Sequence, residues 1–177
     1  MSVQKVSAAG TSIWLDDLSR AKITSTEAHA LPARIKNGGV VGVTTNPSIF
    51  SAAISGAAEY AADIAAMKSA PVDEVVKKLT TDDVRQACEL FTSLYQATHG
   101  VDGRVSIEVD PRLAHDTEGT IAAGKELWSI IDRPNVMIKV PATLEVLPAI
   151  TALIAAGISV NVTLIFSVKR YGQVIEA

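Results

Sequence analysis

Six residues of this chain have types that could do chemistry together, and each falls near the end of a short aliphatic run. Lys139 lies in N-V-M-I-K-V-P-A-T (residues 135–143), a stretch that reads as a buried strand closed by proline. A lysine in such a strand must reach water, pair with a carboxylate, or sit there uncharged. The uncharged, desolvated amine can attack a ketone and form a Schiff base. Side chains alternate between the two faces of a strand. By that period Asp16, Asn46, Glu108, Asn161 and Thr163 fall on the polar faces of four other aliphatic runs. If those faces converge, Lys139 is the nucleophile and the carboxylates of Asp16 and Glu108 divide the proton transfers. Asn46 and Asn161 would bind hydroxyl groups, and Thr163 would orient a water. Such a set suits carbon–carbon cleavage beside a ketone, with an iminium as electron sink.

Plainer readings stand beside each of these. A strand-end lysine commonly reaches water, and Glu108 with Lys139 also describes a buried ion pair that needs no catalysis. Asp16, with Asp17 next to it, suits a turn, and Asn46 before Pro47 suits a helix cap. Asn161 and Thr163 are ordinary strand-end residues, and Trp14 and Met137 read as core filling. Asp110, Arg112, His115 and Asp116 follow the third run as solvated or structural residues. Spacing alone leaves these alternatives open.

The elements that must position the set are strands over 13–16, 40–44, 104–109, 135–140 and 158–163. A helix over 24–36 is expected, opened by a capping box of Thr24 and Glu27 and stopped at Gly38–Gly39, with Pro32 kinking or delaying it. Asn46–Pro47 reads as a helix start. Residues 48–99 read as several helices, broken at Gly56 and near Pro71, with a fresh cap near Thr81 or Asp82. Further helices are expected over 117–131, 148–156 and 167–177. Strands alternating with helices imply parallel pairing with right-handed crossovers. An open, doubly wound sheet has strands apolar on both sides, whereas these alternate. A (β/α) barrel gives the polar faces one interior, with its site at the C-terminal strand ends. The fold class is therefore α/β, a (β/α)8 TIM barrel of which about the first five units are legible, in one domain over 1–177.

Composition sets the class of partner. A chain of 177 residues, 48% hydrophobic and 20% charged, can bury a core. A net charge of -3 argues against a nucleic-acid backbone as partner. No apolar run is long enough to cross a bilayer, and the first ten residues lack a signal-peptide core. One cysteine, Cys88, in a helical pattern reads as a reduced core residue. Three scattered histidines without paired cysteines suggest no metal site. A cytoplasmic, soluble protein is expected.

The segments W-L-D-D-L-S-R, G-V-T-T-N-P-S-I-F, V-S-I-E-V-D-P-R, N-V-M-I-K-V-P-A-T and S-V-N-V-T-L-I-F-S, taken together, resemble transaldolases. They occur in family order from Ile13 to Ser167, and T-T-N-P-S and I-K-V-P-A-T are the most specific. The resemblance implies a (β/α) barrel of the Schiff-base aldolase class, without metal or cofactor. Such enzymes move a dihydroxyacetone unit between sugar phosphates in the non-oxidative pentose phosphate pathway. Carried over by motif, Lys139 would form the Schiff base and Asp16 would take the proton as the carbon–carbon bond breaks. Glu108 and Thr163 would hold the water used in making and breaking the carbinolamine, and Asn46 and Asn161 would bind the dihydroxyacetone hydroxyls. Asp17 stands where many relatives have threonine. The family's phosphate-binding serine and arginine follow the sixth and seventh strands, which are not legible here. The resemblance therefore implies the N-terminal portion of a transaldolase, with little turnover alone and two open sheet edges that invite self-association. A fructose-6-phosphate aldolase that releases free dihydroxyacetone is the alternative enzyme, although those small relatives tend to carry glutamine where Glu108 stands. A non-catalytic fragment assembling with itself or a missing half is the alternative from another class.

Overall fold

The computed structural model describes residues 3–177. In chain order it contains α1 (Val3–Ala8), β1 (Trp14–Asp16), α2 (Arg20–Thr24), α3 (Leu31–Gly38), β2 (Gly42–Thr44) and α4 (Pro47–Ile54). A 3-10 turn (Ala58–Tyr60) leads to α5 (Ala61–Ala66) and α6 (Val72–Ala97). Then follow β3 (Arg104–Glu108), a 3-10 turn (Pro111–Leu113), α7 (Thr117–Ile131), β4 (Val136–Pro141), α8 (Leu147–Ala155), β5 (Val160–Thr163) and α9 (Val168–Glu176). The first ten residues carry a short helix that the sequence reading does not assign; Met1 and Ser2 lie outside the described residues.

All five strands pair in parallel in the order β1-β2-β3-β4-β5. A doubly wound sheet reverses its strand order at a switch point; this one does not. Side chains also meet across β4. Asn161 Nδ2 donates to Ser106 Oγ at 3.0 Å, and Arg104 Nη1 donates to Ser159 Oγ at 3.3 Å. Strands two places apart are separated by roughly 9–10 Å, so such short contacts from β3 to β5 require the sheet to curl. Layers built from alternate strands are the packing of a barrel interior. The sheet is a partial (β/α) barrel.

The opposite face carries the core. Val43, Val105, Ile107, Val136, Ile138 and Val140 are buried there, under Phe91, Leu127, Ile131, Ile150 and Leu153. Cys88 lies in this layer, where burial pushes its thiol up to about 12. At the interior face of β2, a Cβ on Gly42 would come within 2.5 Å of the Trp14 indole. The ring can cover the lower interior only because that position has no side chain.

Two expected helix features differ from the structure. No helix runs over 24–36. Ser19 caps α2 by accepting from Lys22 N–H, and α3 starts only at Leu31, with Pro32 in its first turn. Proline is tolerated there because its missing N–H has no intrahelical partner at that position. The capping box does not form, and Glu27 N–H bonds Ser25 Oγ instead. Nor does a helix begin at Thr81 or Asp82. The 26-residue α6 runs straight through. Thr80 and Thr81 return their hydroxyls to the Lys77 carbonyl, so residues typical of caps are satisfied inside the helix. Helix 117–131 has the expected bounds, with Asp116 as its cap. The breaks at Gly56 and Pro71 are also present.

Candidate active site

Register places the candidate residues on the interior face. Glu108 pairs with Lys139, and Lys139 with Asn161, so three polar side chains form one row across β3, β4 and β5. Lys139 Nζ lies 3.1 Å from Glu108 Oε2, with side chains only 11% and 12% exposed. Its ammonium also donates to the Thr45 carbonyl at 3.1 Å. Two acceptors thus orient two of its hydrogens, one toward Glu108 and one toward Thr45. At such low exposure a charge needs a partner. Glu108 supplies it.

Thr45 and Ser106, absent from the sequence-based set, prove to organise this row. Both are fully buried. The Ser106 carbonyl accepts from Thr45 N–H at 3.2 Å and from Thr45 Oγ1 at 2.8 Å, which orients the Thr45 carbonyl toward Lys139. The Ser106 hydroxyl receives Asn161 Nδ2, so Asn161 keeps its Oδ1 as a free acceptor for the interior. The available signal was position: Ser106 precedes Glu108 by two residues on the same face, and Thr45 precedes the helix cap.

Asn46 does cap α4, accepting from Ile49 N–H at 3.0 Å through its Oδ1. That bond occupies the oxygen and leaves the amide NH2 as donor. The plain reading and the chemical one are therefore compatible at this residue. Asp16 ends β1, in register with Thr44, and is exposed. Its carboxylate makes no hydrogen bond or ion pair with the described residues. It shares the face with Lys139, but no contact joins the two. Thr163 stands opposite Pro141, beyond the Lys139 row, and its carbonyl accepts from Ala142 N–H at 2.9 Å. Next to it Leu164 has a positive φ of 62°, rare for a bulky side chain. A groove of about 720 Å³ is lined by Asn46 and by Glu108 of the row, and runs outward between α4, the start of α6 and the turn after β3.

In the loop after β3 the polar side chains bond one another and the adjoining helix. Asp116 caps α7, and Asp110 accepts from the Arg112 N–H and guanidinium. Arg112 beside it holds the Asp110 carboxyl below the usual range. Among the described residues no cluster of histidine, cysteine and carboxylate could hold a metal ion, and no helix is long and apolar enough to cross a membrane.

Comparison with known proteins bears on this arrangement. The family model described as Transaldolase/Fructose-6-phosphate aldolase matches residues 13–177. A transaldolase of Mycolicibacterium smegmatis is 58% identical over 174 residues, covering 97% of this chain and 46% of its own length. One of Acidothermus cellulolyticus is 57% identical over 175 residues, covering 98% and 46%. One of Saccharopolyspora erythraea is 54% identical over 178 residues, covering 99% and 47%. The chain thus spans about half the length of the curated relatives it matches. It belongs to the transaldolase/fructose-6-phosphate aldolase family.

Proposed function

We propose that this chain carries the Schiff-base site of a transaldolase, acting on ketose and aldose phosphates in the cytoplasm. The observation that carries the reading is the nearly covered pair of Lys139 Nζ and Glu108 Oε2, 3.1 Å apart at the strand end. Glu108 takes a proton from the ammonium, and the freed amine attacks the ketose carbonyl carbon. The carbonyl oxygen gains protons and departs as water, which Glu108 and Thr163 hold, leaving an iminium on Lys139. Asp16 then removes the proton of the hydroxyl on the far side of the bond to be broken. That oxygen becomes the aldehyde of the leaving aldose phosphate, and the bonding electrons move into the iminium to give an enamine. A second aldose phosphate enters, and the same steps run in reverse, with Asp16 returning its proton. Asn46 donates to the hydroxyls of the three-carbon unit, and Asn161 accepts from them.

The test is reductive trapping. The chain is incubated with fructose 6-phosphate, reduced with borohydride, and analysed by intact mass and peptide mapping. The expected result is a dihydroxyacetone-derived adduct on Lys139, lost in Lys139→Met. Label on another lysine, or none while a full-length relative labels, would overturn the reading. Transfer to erythrose 4-phosphate, compared with release of free dihydroxyacetone, separates a transaldolase from a fructose-6-phosphate aldolase.

A second reading, self-association, is favoured by the surface next to β5. Phe166 and Val168 are 87% and 89% exposed, and Leu164, Tyr171 and Ile175 extend the same patch. Sedimentation at several concentrations tests it, and a monomer throughout would dismiss it.

A further inference from the structure

A second cluster of buried charged and polar side chains plays no part in the steps above. Asp83, on α6, has no exposed surface, and Tyr60, ending the 3-10 turn before α5, is 1% exposed. Tyr60 Oη donates to Asp83 Oδ2 at 2.6 Å, and Arg20 Nε donates to Asp83 Oδ1 at 3.0 Å. The ring of bonds closes through the backbone, because Arg20 N–H donates to Tyr60 Oη at 2.8 Å. The guanidinium also lies over the Tyr60 ring, with Cζ 4.6 Å from its centroid. Its Nη1 reaches the Glu59 carbonyl at 3.1 Å and pairs with Asp63. One arginine thus ties α2 to α6, to the 3-10 turn and to α5.

The place of this ring gives it a consequence. Arg20 opens α2, and only Asp17, Leu18 and Ser19 separate it from Asp16. Strand β1 has three residues and, among the described residues, pairs only with β2. The sheet alone therefore holds Asp16 by one short ladder. Beyond Asp16, the chain is anchored by fully buried Leu18 and by Arg20. Buried ionic groups are poor sources of stability compared with apolar replacements of similar volume. What they add is direction. Here the bond from Arg20 N–H to Tyr60 fixes the backbone where the turn from β1 ends.

We propose that Arg20, Tyr60 and Asp83 are positioning residues for Asp16, holding the exit of β1 so that its carboxylate meets the substrate hydroxyl. The proposal rests on the reading of Asp16 as the proton acceptor in carbon–carbon cleavage. Schiff-base formation uses Lys139 and Glu108 on β4 and β3, away from this ring, whereas cleavage uses Asp16. Loosening the ring therefore spares the first step and slows the second. The two steps leave different products on Lys139: a phosphorylated six-carbon adduct before cleavage, and a three-carbon adduct after it.

The experiment is borohydride trapping with fructose 6-phosphate on the wild-type chain, Tyr60→Phe and Arg20→Lys, with Asp16→Asn setting the scale. Misplacing a reacting group by about 1 Å costs on the order of 10²-fold. Tyr60→Phe is therefore expected to raise the ratio of six-carbon to three-carbon adduct at least about tenfold. Total label on Lys139 should stay near the wild-type level, and Arg20→Lys, which keeps the charge but not the fork, should fall between. An unchanged ratio in Tyr60→Phe overturns the proposal, as does an equal fall of both adducts together with a lowered melting temperature. If Asp16→Asn still gives the three-carbon adduct, the role of Asp16 fails, and the positioning role fails with it. Should the wild-type chain form no adduct, amide hydrogen exchange over residues 14–20 decides, with α7 as internal reference. Faster exchange there in Tyr60→Phe supports the ring as the anchor of β1, and unchanged exchange overturns it.

Discussion

The two sides of the sheet are built differently. Strands β1 and β2 have three residues each, while β3, β4 and β5 have five, six and four. On the longer side the apolar faces of β3 and β4 are buried under α6, α7 and α8, with Val160 and Val162 of β5 partly covered, and the strands themselves align Glu108, Lys139 and Asn161. On the shorter side Trp14, Leu15 and Asp16 are half-buried or exposed, and the chain is fixed from outside the sheet by the Arg20 ring and by Asn46 at the start of α4. The candidate nucleophile, Lys139, is thus placed by register, and the candidate proton acceptor, Asp16, by a turn. A row set by strand pairing tolerates little change. A turn held by side chains can be loosened one bond at a time.

The largest expected effect lies in the row. Glu108→Gln removes the charge opposite Lys139 and leaves a nearly buried ammonium with the Thr45 carbonyl as its remaining partner. Breaking a buried pair in this way costs about 3–5 kcal/mol, read from urea unfolding. Replacing both members, Glu108→Leu with Lys139→Met, should return most of that stability while abolishing trapping. If the double replacement stays as unstable as Glu108→Gln, the pair serves the fold and not only the chemistry.

Next comes the contrast between the two apolar faces. Ile138, fully buried on β4, should lose about 2–5 kcal/mol on truncation to alanine. Leu15 on β1 is only partly buried and should lose about 1–2 kcal/mol, roughly half of a full side-chain burial. Equal losses in paired denaturation curves would remove the asymmetry. A third change, Gly42→Ala, forces a Cβ against Trp14 and should cost about 1–3 kcal/mol. Pairing it with Trp14→Phe, which shrinks the ring, should recover part of that cost; no recovery would mean that the strain lies elsewhere in β2.

The same asymmetry governs what the sequence disclosed. Period-two alternation in V-S-I-E-V and N-V-M-I-K-V was enough to put Glu108 and Lys139 on the polar faces of their strands, whereas their pairing in register is set by the sheet. Helix 117–131 was legible in its bounds, while Asp116, read as a solvated or structural loop residue, is its cap. Thr81 and Asp82 misled because cap-forming residues can also bond back within a helix, and the packed surroundings of α6 favoured that choice. Thr24 and Glu27 misled because Pro32, with no N–H to donate, needed the first turn of a later helix. The part of Thr45 in the site depends on its carbonyl, which carries no side-chain signature. The Arg20–Tyr60–Asp83 ring joins residues 63 positions apart. Such contacts are set by tertiary packing, and no local pattern announces them.

The smallest expected effect concerns two carboxylates that titrate in opposite directions. Burial raises the Asp83 carboxyl against the pull of Tyr60 and Arg20, whereas Arg112 lowers that of Asp110. A carboxyl raised in the folded chain binds its proton there first, so its ionisation weighs against folding as pH rises through that window. A lowered carboxyl does the reverse: Asp110 supports folding above the ordinary carboxylate value and loses that support as pH falls through its own folded pKa. The Asp110–Arg112 pair is exposed, with side chains 34% and 69% accessible, so solvent screening leaves its share small. Asp110→Asn should therefore shift the urea midpoint slightly near neutrality, and the difference from wild type should shrink only as pH falls from about 4 down through the lowered folded pKa. A difference that grows on acidification would mean that Asp110 is strained by its surroundings, and that the loop after β3 is held in the manner of the Asp16 turn instead of by the strand beneath it.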